Sequence, residues 1–368
     1  MYGQSDLIAY GVVAVMKNGD GPAVLIRSDM DALPVVEKTG LPYASKVITK
    51  SDDGQETGVM HACGHDVHMT CLLGTAKVMA ELRDQWHGTL VFIGQPAEEL
   101  IAGARAMLND GLYTRFPRPD YALALHDFPL DAGKVGIYPG YVLASATSVD
   151  IIIRGVGGHG SKPETSKDPI VIAAQVILAL QTIVSREISP FDPAVVTVGS
   201  IHGGTRGNII PDEVKLQLTV RTYKDEVRRK ILASIERISK GIVLSAGIPD
   251  ELAPIISYKD EPNSATYNDP VLTERLTGVF KNALGPENVI ENPPIMASED
   301  FGLFGLDQQI PVCLFFLGVT DPEVVAKNTQ NGTEIPGLHS PYFAPLPEPS
   351  IRTGVKAMTS AALELMKK

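Results

Sequence analysis

An α/β domain interrupted by a smaller α+β domain is the architecture this sequence predicts, on three observations. Apolar, β-branched stretches in the first third run into polar residues and then into helical stretches, the alternation of an α/β sheet with its chemistry at the strand ends. After Tyr138-Pro139-Gly140 the texture changes to a β-α-β-β-α series with antiparallel hairpin character. Beyond Pro270 the α/β texture resumes, and 368 residues are more than one hydrophobic core normally serves. The expected division is one discontinuous domain, 1–147 with 257–368, and a ferredoxin-like domain at 148–256 inserted into it.

The elements follow in order. Val12 to Val15 and Ala23 to Ser28 read as strands joined by the turn Lys17-Asn18-Gly19-Asp20-Gly21. The second runs straight into Asp29-Met30-Asp31, and strand alternation puts both aspartates on one side of the chain. Asp66 is placed to cap a helix from about Val67 to Leu82, followed by the strand Thr89 to Gly94 and the Gln95-Pro96-Ala97-Glu98-Glu99 loop. A helix Ala102 to Asn109 and a strand Tyr121 to Leu125, ending on His126-Asp127, complete the first half. In the insert, Val149 to Arg154 is a strand, Gly155 to Gly160 a glycine-rich turn and Pro169 to Ile188 a long helix. Strands Ala194 to Ile201 and Glu213 to Thr222 and a helix Lys224 to Ser245 follow, and the chain leaves through the polar segment 254–270. The tail carries a strand Val312 to Leu317, a turn-rich loop with His339, and a closing helix Pro349 to Met366.

Composition excludes several function classes. With 32 basic and 43 acidic residues the net charge is −11, and no Lys/Arg cluster is present to track a phosphate backbone, so nucleic acid is not an expected partner. No apolar run approaches the roughly 20 residues of a membrane span; the longest, Ile170 to Leu180, contains Gln175. Three cysteines, Cys63, Cys71 and Cys313, cannot form a disulfide framework without leaving a free thiol, which fits a reducing compartment or a metal-bound cysteine. The start Met1-Tyr2-Gly3-Gln4-Ser5-Asp6 has neither the basic beginning nor the apolar core of a signal peptide, so the cytoplasm is expected.

The chemistry concentrates in His61-Ala62-Cys63-Gly64-His65-Asp66-Val67-His68, where potential ligands cluster around one glycine. A thiolate and an imidazole two residues apart can share an ion, with Gly64 letting the backbone bend between them. Glu98-Glu99 offers a division of labour for metal-assisted amide hydrolysis: neighbouring side chains diverge, so one ligates while the other moves protons. A Glu-Glu pair alone is more often a solvated surface, but this one follows an apolar strand and a proline. His126 and His339, read singly, are better explained by structure than by ligation. A competing reading makes Cys63 a nucleophile activated by His65; residues separated by one glycine are better arranged to share a metal, and no orienting third member is evident. A further alternative is a protein of this fold that binds acyl-amino acids or metal without turnover.

Six motifs in order carry a resemblance: Cys63-Gly64-His65-Asp66, Gln95-Pro96-Ala97-Glu98-Glu99, Gly157-Gly158-His159, Asn208-Ile209-Ile210-Pro211-Asp212, Ser298-Glu299-Asp300-Phe301 and Leu338-His339-Ser340-Pro341. The set resembles that of the M20 metallopeptidase family, above all its amidohydrolase branch of N-acyl-amino-acid, hippurate and auxin-conjugate hydrolases. The resemblance implies a zinc-peptidase-type α/β catalytic domain with an inserted α+β lid and dimerisation domain, a homodimer, and two divalent ions, zinc or manganese with cobalt as a further option. By the same resemblance Cys63 bridges the ions, His65, Glu99, His126 and His339 complete the ligands, and Glu98 is the general base and acid. Asp29 stands where peptidase relatives carry a ligand histidine and is left out of the ligand set, while Asp31 orients a ligand. His159 is implied in oxyanion stabilisation, and Asn208 and Arg221 in capture of the substrate carboxylate.

Two expectations remain. Family members begin with a further helical stretch and strand before the segment equivalent to Gly11-Val12-Val13, so lower stability is expected here, and any targeting signal such a stretch carried would change the compartment. The segment around Met296 and Phe301 offers apolar surface near a motif, favouring an aliphatic or aromatic acyl group over a charged one.

Overall fold

The computed structural model describes residues 11–51, 54–258 and 263–368. The expectations about Met1 to Asp6, and residues 259–262 of the segment 254–270, lie outside the described residues. In chain order the elements begin with β1 (Val12–Asn18), β2 (Ala23–Asp29), β3 (Ile48–Lys50), β4 (Glu56–Gly58), α1 (His65–Glu81), β5 (Gly88–Gln95), α2 (Gly103–Asn109) and α3 (Leu112–Arg115). There follow β6 (Tyr121–Asp131), β7 (Val135–Ile137), β8 (Gly140–Arg154), β9 (Gly158–His159), α4 (Pro169–Thr182), β10 (Ala194–Gly203), β11 (Ile209–Ile210), β12 (Glu213–Thr222) and α5 (Asp225–Ser245). The last are β13 (Ile255–Tyr258), β14 (Thr266–Asn268), α6 (Pro270–Leu284), β15 (Val289–Glu291), β16 (Ile295–Ser298), β17 (Val312–Thr320), α7 (Pro322–Asn331) and α8 (Pro347–Met366).

Contacts divide the chain into two compact units, Met1–Val142 with Thr266–Pro294 and Glu299–Lys368, and Leu143–Ala265 with Ile295–Ser298. In the first, a seven-stranded mixed sheet runs β1-β5-β2-β6-β17-β7-β15. Its middle strands β5, β2, β6 and β17 are mutually parallel, and β17 is buried along its whole length. That is why Val312 to Leu317 reads as an unbroken apolar run and not as an alternation. α1, α6 and α8 pack on this sheet through Val67, Cys71 and Met79, Leu276 and Phe280, and Ala357, Met358, Ala361 and Leu365. Trp86, fully buried, satisfies its indole N–H on the carbonyl of Met79 at 2.9 Å.

The pairing of β1 and β2 is not given by the local pattern, and one local expectation is corrected. β1 and β2 follow each other through a tight turn but do not pair: β5 lies between them, antiparallel to β1 and parallel to β2. The turn signal fixes a reversal, and the partner comes from 70 residues downstream, which no local pattern reveals. α1 begins at His65, behind Gly64 at φ 81° and with no side-chain cap, so Asp66 lies in the first turn, where a carboxylate still favours the positive helix end.

In the second unit four strands form an antiparallel ladder in the order β10-β12-β8-β13, and β16 pairs parallel with the start of β8. With α4 between β8 and β10 and α5 between β12 and β13, this is the ferredoxin-like β-α-β-β-α-β arrangement. Its fourth strand, Ile255–Tyr258, sits inside the segment expected to be an exit. Val149, Ile151, Ile153, Leu216, Leu218 and Val220 alternate into a core closed by α4 and α5. Pro169–Glu187 is the only described helical stretch long and apolar enough to cross a membrane. It lays Ile172, Ala173, Val176, Leu180 and Ile183 into that core, its last turn widening to a π-helix at Ile183–Glu187. It is a core helix of a globular fold.

Candidate active site

The carboxyl ends of β2 and β5 lie side by side, Asp29 opposite Gln95, and β6 pairs with β2 through its first residues, Arg27 opposite Ala124, so the residues that follow β2 and β5 converge on the middle of β6. Asp31 lies just past β2, Glu98 and Glu99 in the loop after β5, and His126 near the middle of the long strand β6. Cys63 and His65 enter from the turn that starts α1. Gly64 is required there twice over: its φ is left-handed, and a Cβ would lie 2.3 Å from Asp127 Oδ2. His339 arrives from the tail, its N–H bonded to the carbonyl of Ala62 at 2.7 Å.

Ligand atoms of Cys63, His65 and His126 lie within 4.8 Å of one another, as do those of Cys63, Glu99 and His339, and those of His65, Glu98 and Glu99. Cys63 Sγ is 3.6 Å from His126 Nε2, and His339 Nε2 is 3.4 Å from Glu99 Oε2. Two imidazoles are set in one tautomer. His65 Nδ1 is 2.9 Å from the carbonyl of Asp31, and His126 Nδ1 2.8 Å from that of Asp127. Each Nδ1 therefore donates, leaving the Nε2 lone pairs aimed into the cluster. His65 Nε2 and Glu99 Oε1 are buried with no hydrogen-bond partner, although Nε2 faces Asp29, Glu98 and Glu99 at 3.6 to 4.0 Å. A lone pair facing carboxylates is satisfied by a cation, so the donor set of thiol, imidazoles and carboxylates fits divalent metal.

The electrostatics agree in part: burial opposes charge on His65, but Asp29 and Asp31 raise its pKa, so a proton competes with a cation for that ring. Burial pushes the His126 pKa down to about 3, assisted by His68, so the ring is neutral and ready to donate. Burial, reinforced by Glu99 and Glu98, raises the Cys63 thiol well above its usual range. The same burial, with Glu299 and Asp300 nearby, lifts Glu98, and burial lifts Glu99 against the pull of His339 and His65. A divalent ion held here would reverse this pressure and favour the ionised thiol and carboxyls.

The Glu98-Glu99 loop is held under strain. Ala97 and Ile101 both have φ 54°, unfavourable for L-residues and most so for a β-branched one. The conformation persists because Ile101 N–H bonds Glu98 O (2.6 Å), Gly103 N–H bonds Ala97 O (3.1 Å), and Glu99 N–H donates to Asp31 Oδ2 (3.0 Å). Asp31 also lies 3.4 Å from His65 Nδ1, so one carboxylate orients both segments. His339 has φ 67° as well.

His159, Asn208 and Arg221 belong to the second unit. His159 and Asn208 meet on the β9–β11 ladder, where Gly160 N–H bonds the Asn208 carbonyl at 2.9 Å, and both are exposed. His159 Nδ1 accepts from Ser161 N–H at 3.1 Å, so Nε2 carries the proton. Arg221, half-buried on β12, donates from Nε to Thr219 Oγ1 at 3.1 Å.

Other buried polar residues join the first unit's cluster without having been singled out as site residues. Arg27, Glu299 and Asp300 form a charged network with Asp29, and His68 links Asp29 to Asp127. Burial opposes charge on His68, while Asp29 and Asp127 favour it and raise its pKa to about 10. Its Nε2, however, accepts from the Asp127 N–H at 2.7 Å, which a charged ring cannot do, and this geometry sets the neutral form. His68 was visible in the His61–His68 cluster; Arg27 was marked only by a charge inside an apolar strand. Phe301 corrects an expectation: it is fully buried against Phe304 in the first unit and offers no acyl-binding surface, while Met296 belongs to the second.

The profile of Peptidase family M20/M25/M40 matches residues 25–364. A hippurate hydrolase of Campylobacter jejuni is 40% identical over 297 residues, 80% of this chain and 73% of that protein. An N-acetyldiaminopimelate deacetylase of Limosilactobacillus fermentum is 37% identical over 355 residues, covering 95% and 83% of the two chains. Among solved structures, a dinuclear metal binding peptidase of the M20 family from Bacillus subtilis superposes with a TM-score of 0.74 at 30% identity, over 98% of this chain and 86% of that one.

Proposed function

The chain belongs to peptidase family M20, in its amidohydrolase branch, and from that premise we propose that Cys63, His65, Glu99, His126 and His339 hold two divalent ions, with Glu98 as general base and acid. The enzyme is an amidohydrolase of N-acyl amino acids, releasing a carboxylic acid and a free amino acid; relatives are named for hippurate, N-acetyl-L-cysteine and N-acetyldiaminopimelate. One observation supports the ligand assignment: Cys63 lies in one triad with His65 and His126 and in another with Glu99 and His339, so its thiolate would be within reach of ions held by either set. Bound ions supply polarisation of the amide carbonyl and acidification of water.

The chain's own groups do the rest. Glu98, buried and raised in pKa, takes the proton of the attacking water and delivers it to the leaving nitrogen. Asp31 holds His65 and the Glu99 backbone in place. His159 offers its Nε2–H to the developing oxyanion, and Asn208 and Arg221 bind the substrate carboxylate, Arg221 through its planar fork. A thiolate ligand favours zinc on softness; manganese and cobalt suit the imidazoles and the carboxylate. A mechanism with Cys63 as nucleophile and His65 as its base is disfavoured, because burial holds the thiol protonated and the imidazole its Sγ contacts, at 3.6 Å, is that of His126, whose pKa near 3 makes a poor base.

A homodimer formed through the second unit is part of this reading. α4 is apolar on both faces: one lines the core, while Val171 and Leu178 of the other are 54% and 72% exposed. Phe191 is 91% exposed, and among the described residues β10 is a sheet edge, carrying exposed Ile201. Apolar cover and an open edge together suit a second copy of the same surface. A cytoplasmic location is supported by three buried, unpaired cysteines.

The test is hydrolysis of benzoyl- and acetyl-amino acids after reconstitution with zinc, manganese or cobalt, beside a chelated control. Metal-dependent release of amino acid is expected. Turnover that survives chelation and ends on thiol alkylation would replace this reading with the cysteine mechanism.

A further inference from the structure

One side chain gathers five polar contacts and has no part in the chemistry assigned above. Arg27 lies on β2 with its side chain fully buried. Nε donates to Gln95 Oε1 (2.9 Å), Nη1 to Asp29 Oδ2 (2.7 Å) and Glu299 Oε2 (3.1 Å), and Nη2 to Glu299 Oε1 (2.8 Å) and Asp300 Oδ1 (3.3 Å). Burial works against its charge, but Glu299, Asp29 and Asp300 outweigh it and raise its pKa. A cation sealed from water persists only when its donors are partnered, and a planar five-donor fork does what an ammonium cannot.

From this guanidinium two arms run to different parts of the site. Along the first, Asp29 accepts from His68 Nδ1 (2.6 Å), His68 Nε2 accepts from Asp127 N–H (2.7 Å), and the Asp127 carbonyl accepts from His126 Nδ1 (2.8 Å). Along the second, Asp300 accepts from Gln95 Nε2 (2.6 Å) and Ala104 N–H (2.9 Å). Gln95 and Ala104 bracket the strained loop that carries Glu98 and Glu99. Gly103, beside Ala104, is packed so closely that a Cβ would lie 1.6 Å from the Pro96 carbonyl oxygen.

We propose that Arg27 is a positioning residue that couples the imidazole of His126 to the Glu98-Glu99 loop, fixing the spacing between the ligand cluster and the base. The inference rests on the roles given above to His126 and Glu98. An arginine that only completed the core would not need to reach both segments through separate hydrogen-bonded chains. The coupling also gives Glu299 and Asp300 a shared task, presenting three carboxylate oxygens to one guanidinium and tying it to the second arm.

The test compares wild type with Arg27→Lys, which keeps the charge and loses the fork, and with Glu299→Gln, which keeps the shape and loses the charge. For each, the cobalt-loaded absorption spectrum, the Tm of the metal-free protein, and kcat and KM on one N-acyl amino acid are measured. The expected result is a displaced cobalt spectrum and a kcat lower by about 10- to 100-fold, the range for losing a partner that orients a ligand, with KM little changed. Should Arg27→Lys fail to fold, Glu299→Gln carries the same expectation. Wild-type cobalt spectra and kcat in the folded variants, with only a lower Tm, would overturn the proposal. Displaced spectra in variants of a wild type that turns over no substrate would uphold the positioning role and break the hydrolase reading instead.

Discussion

Cys63, His65 and His126 meet in the buried interior beneath the strand ends, whereas Cys63, Glu99 and His339 meet at a rim where the His339 side chain is 56% exposed. On the inner side both imidazoles are preset by Nδ1 donation to backbone carbonyls, and His126 is tied further through His68 and Asp29. The outer histidine sits in a loop at φ 67°. In the proposed assignment one thiol joins a half-site whose imidazoles are preset to one whose histidine side chain is exposed. Preorganisation lowers the ordering cost of binding, so the inner position should hold its ion more tightly and the outer one should exchange.

The largest effect tests the chemistry both halves serve. Glu98→Gln should lower kcat by about 10²- to 10⁴-fold, the span of general acid–base catalysis, while elemental analysis finds metal content unchanged. Activity near wild type would remove Glu98 from its role. Next, His339→Asn, a residue that tolerates the left-handed backbone, should lower affinity for the second metal equivalent by at least about 10- to 100-fold and spare the first. If chelator competition showed both equivalents weakened alike, the inner and outer positions would not be distinct.

A smaller effect follows from pH. Burial raises the Cys63 thiol pKa, so over the neutral range a proton must leave before metal binds; His126, near 3, has none to lose. Apparent metal affinity should therefore rise with pH, by about tenfold per unit for each proton displaced. Chelator competition at three pH values checks the slope, and a flat profile would mean that the thiol does not ligate. Least perturbing is Phe191→Ser, which should change monomer stability by no more than about 0.5 kcal/mol, as an exposed position does, yet shift sedimentation from dimer toward monomer. A distribution identical to wild type would take Phe191 out of the interface.

The inner half was partly legible in the sequence and its support was not. The Cys63–His65 spacing and the Glu98-Glu99 pair after an apolar strand announce chemistry locally, because coordination by neighbours leaves a short-range signature. Arg27 does not: its partners Glu299 and Asp300 are more than 270 residues away, and in the sequence it is one charge in a β-branched run. The fold follows the same rule. Glu213–Thr222 alternates and is read residue for residue, while the insertion of β5 between β1 and β2 depends on pairing that no turn encodes. The fourth strand of the second unit, Ile255–Tyr258, is four residues in a polar setting, too short for its period to stand out.

The most direct test of the central claim is a cobalt titration of the metal-free enzyme, following the thiolate-to-cobalt absorption band. If Cys63 is shared by two ions, the band should form with the first equivalent, change in shape with the second and stay constant thereafter, and Cys63→Ser should abolish it at both stages. A band complete at one equivalent, or one that persists in Cys63→Ser, would contradict the shared-thiolate centre.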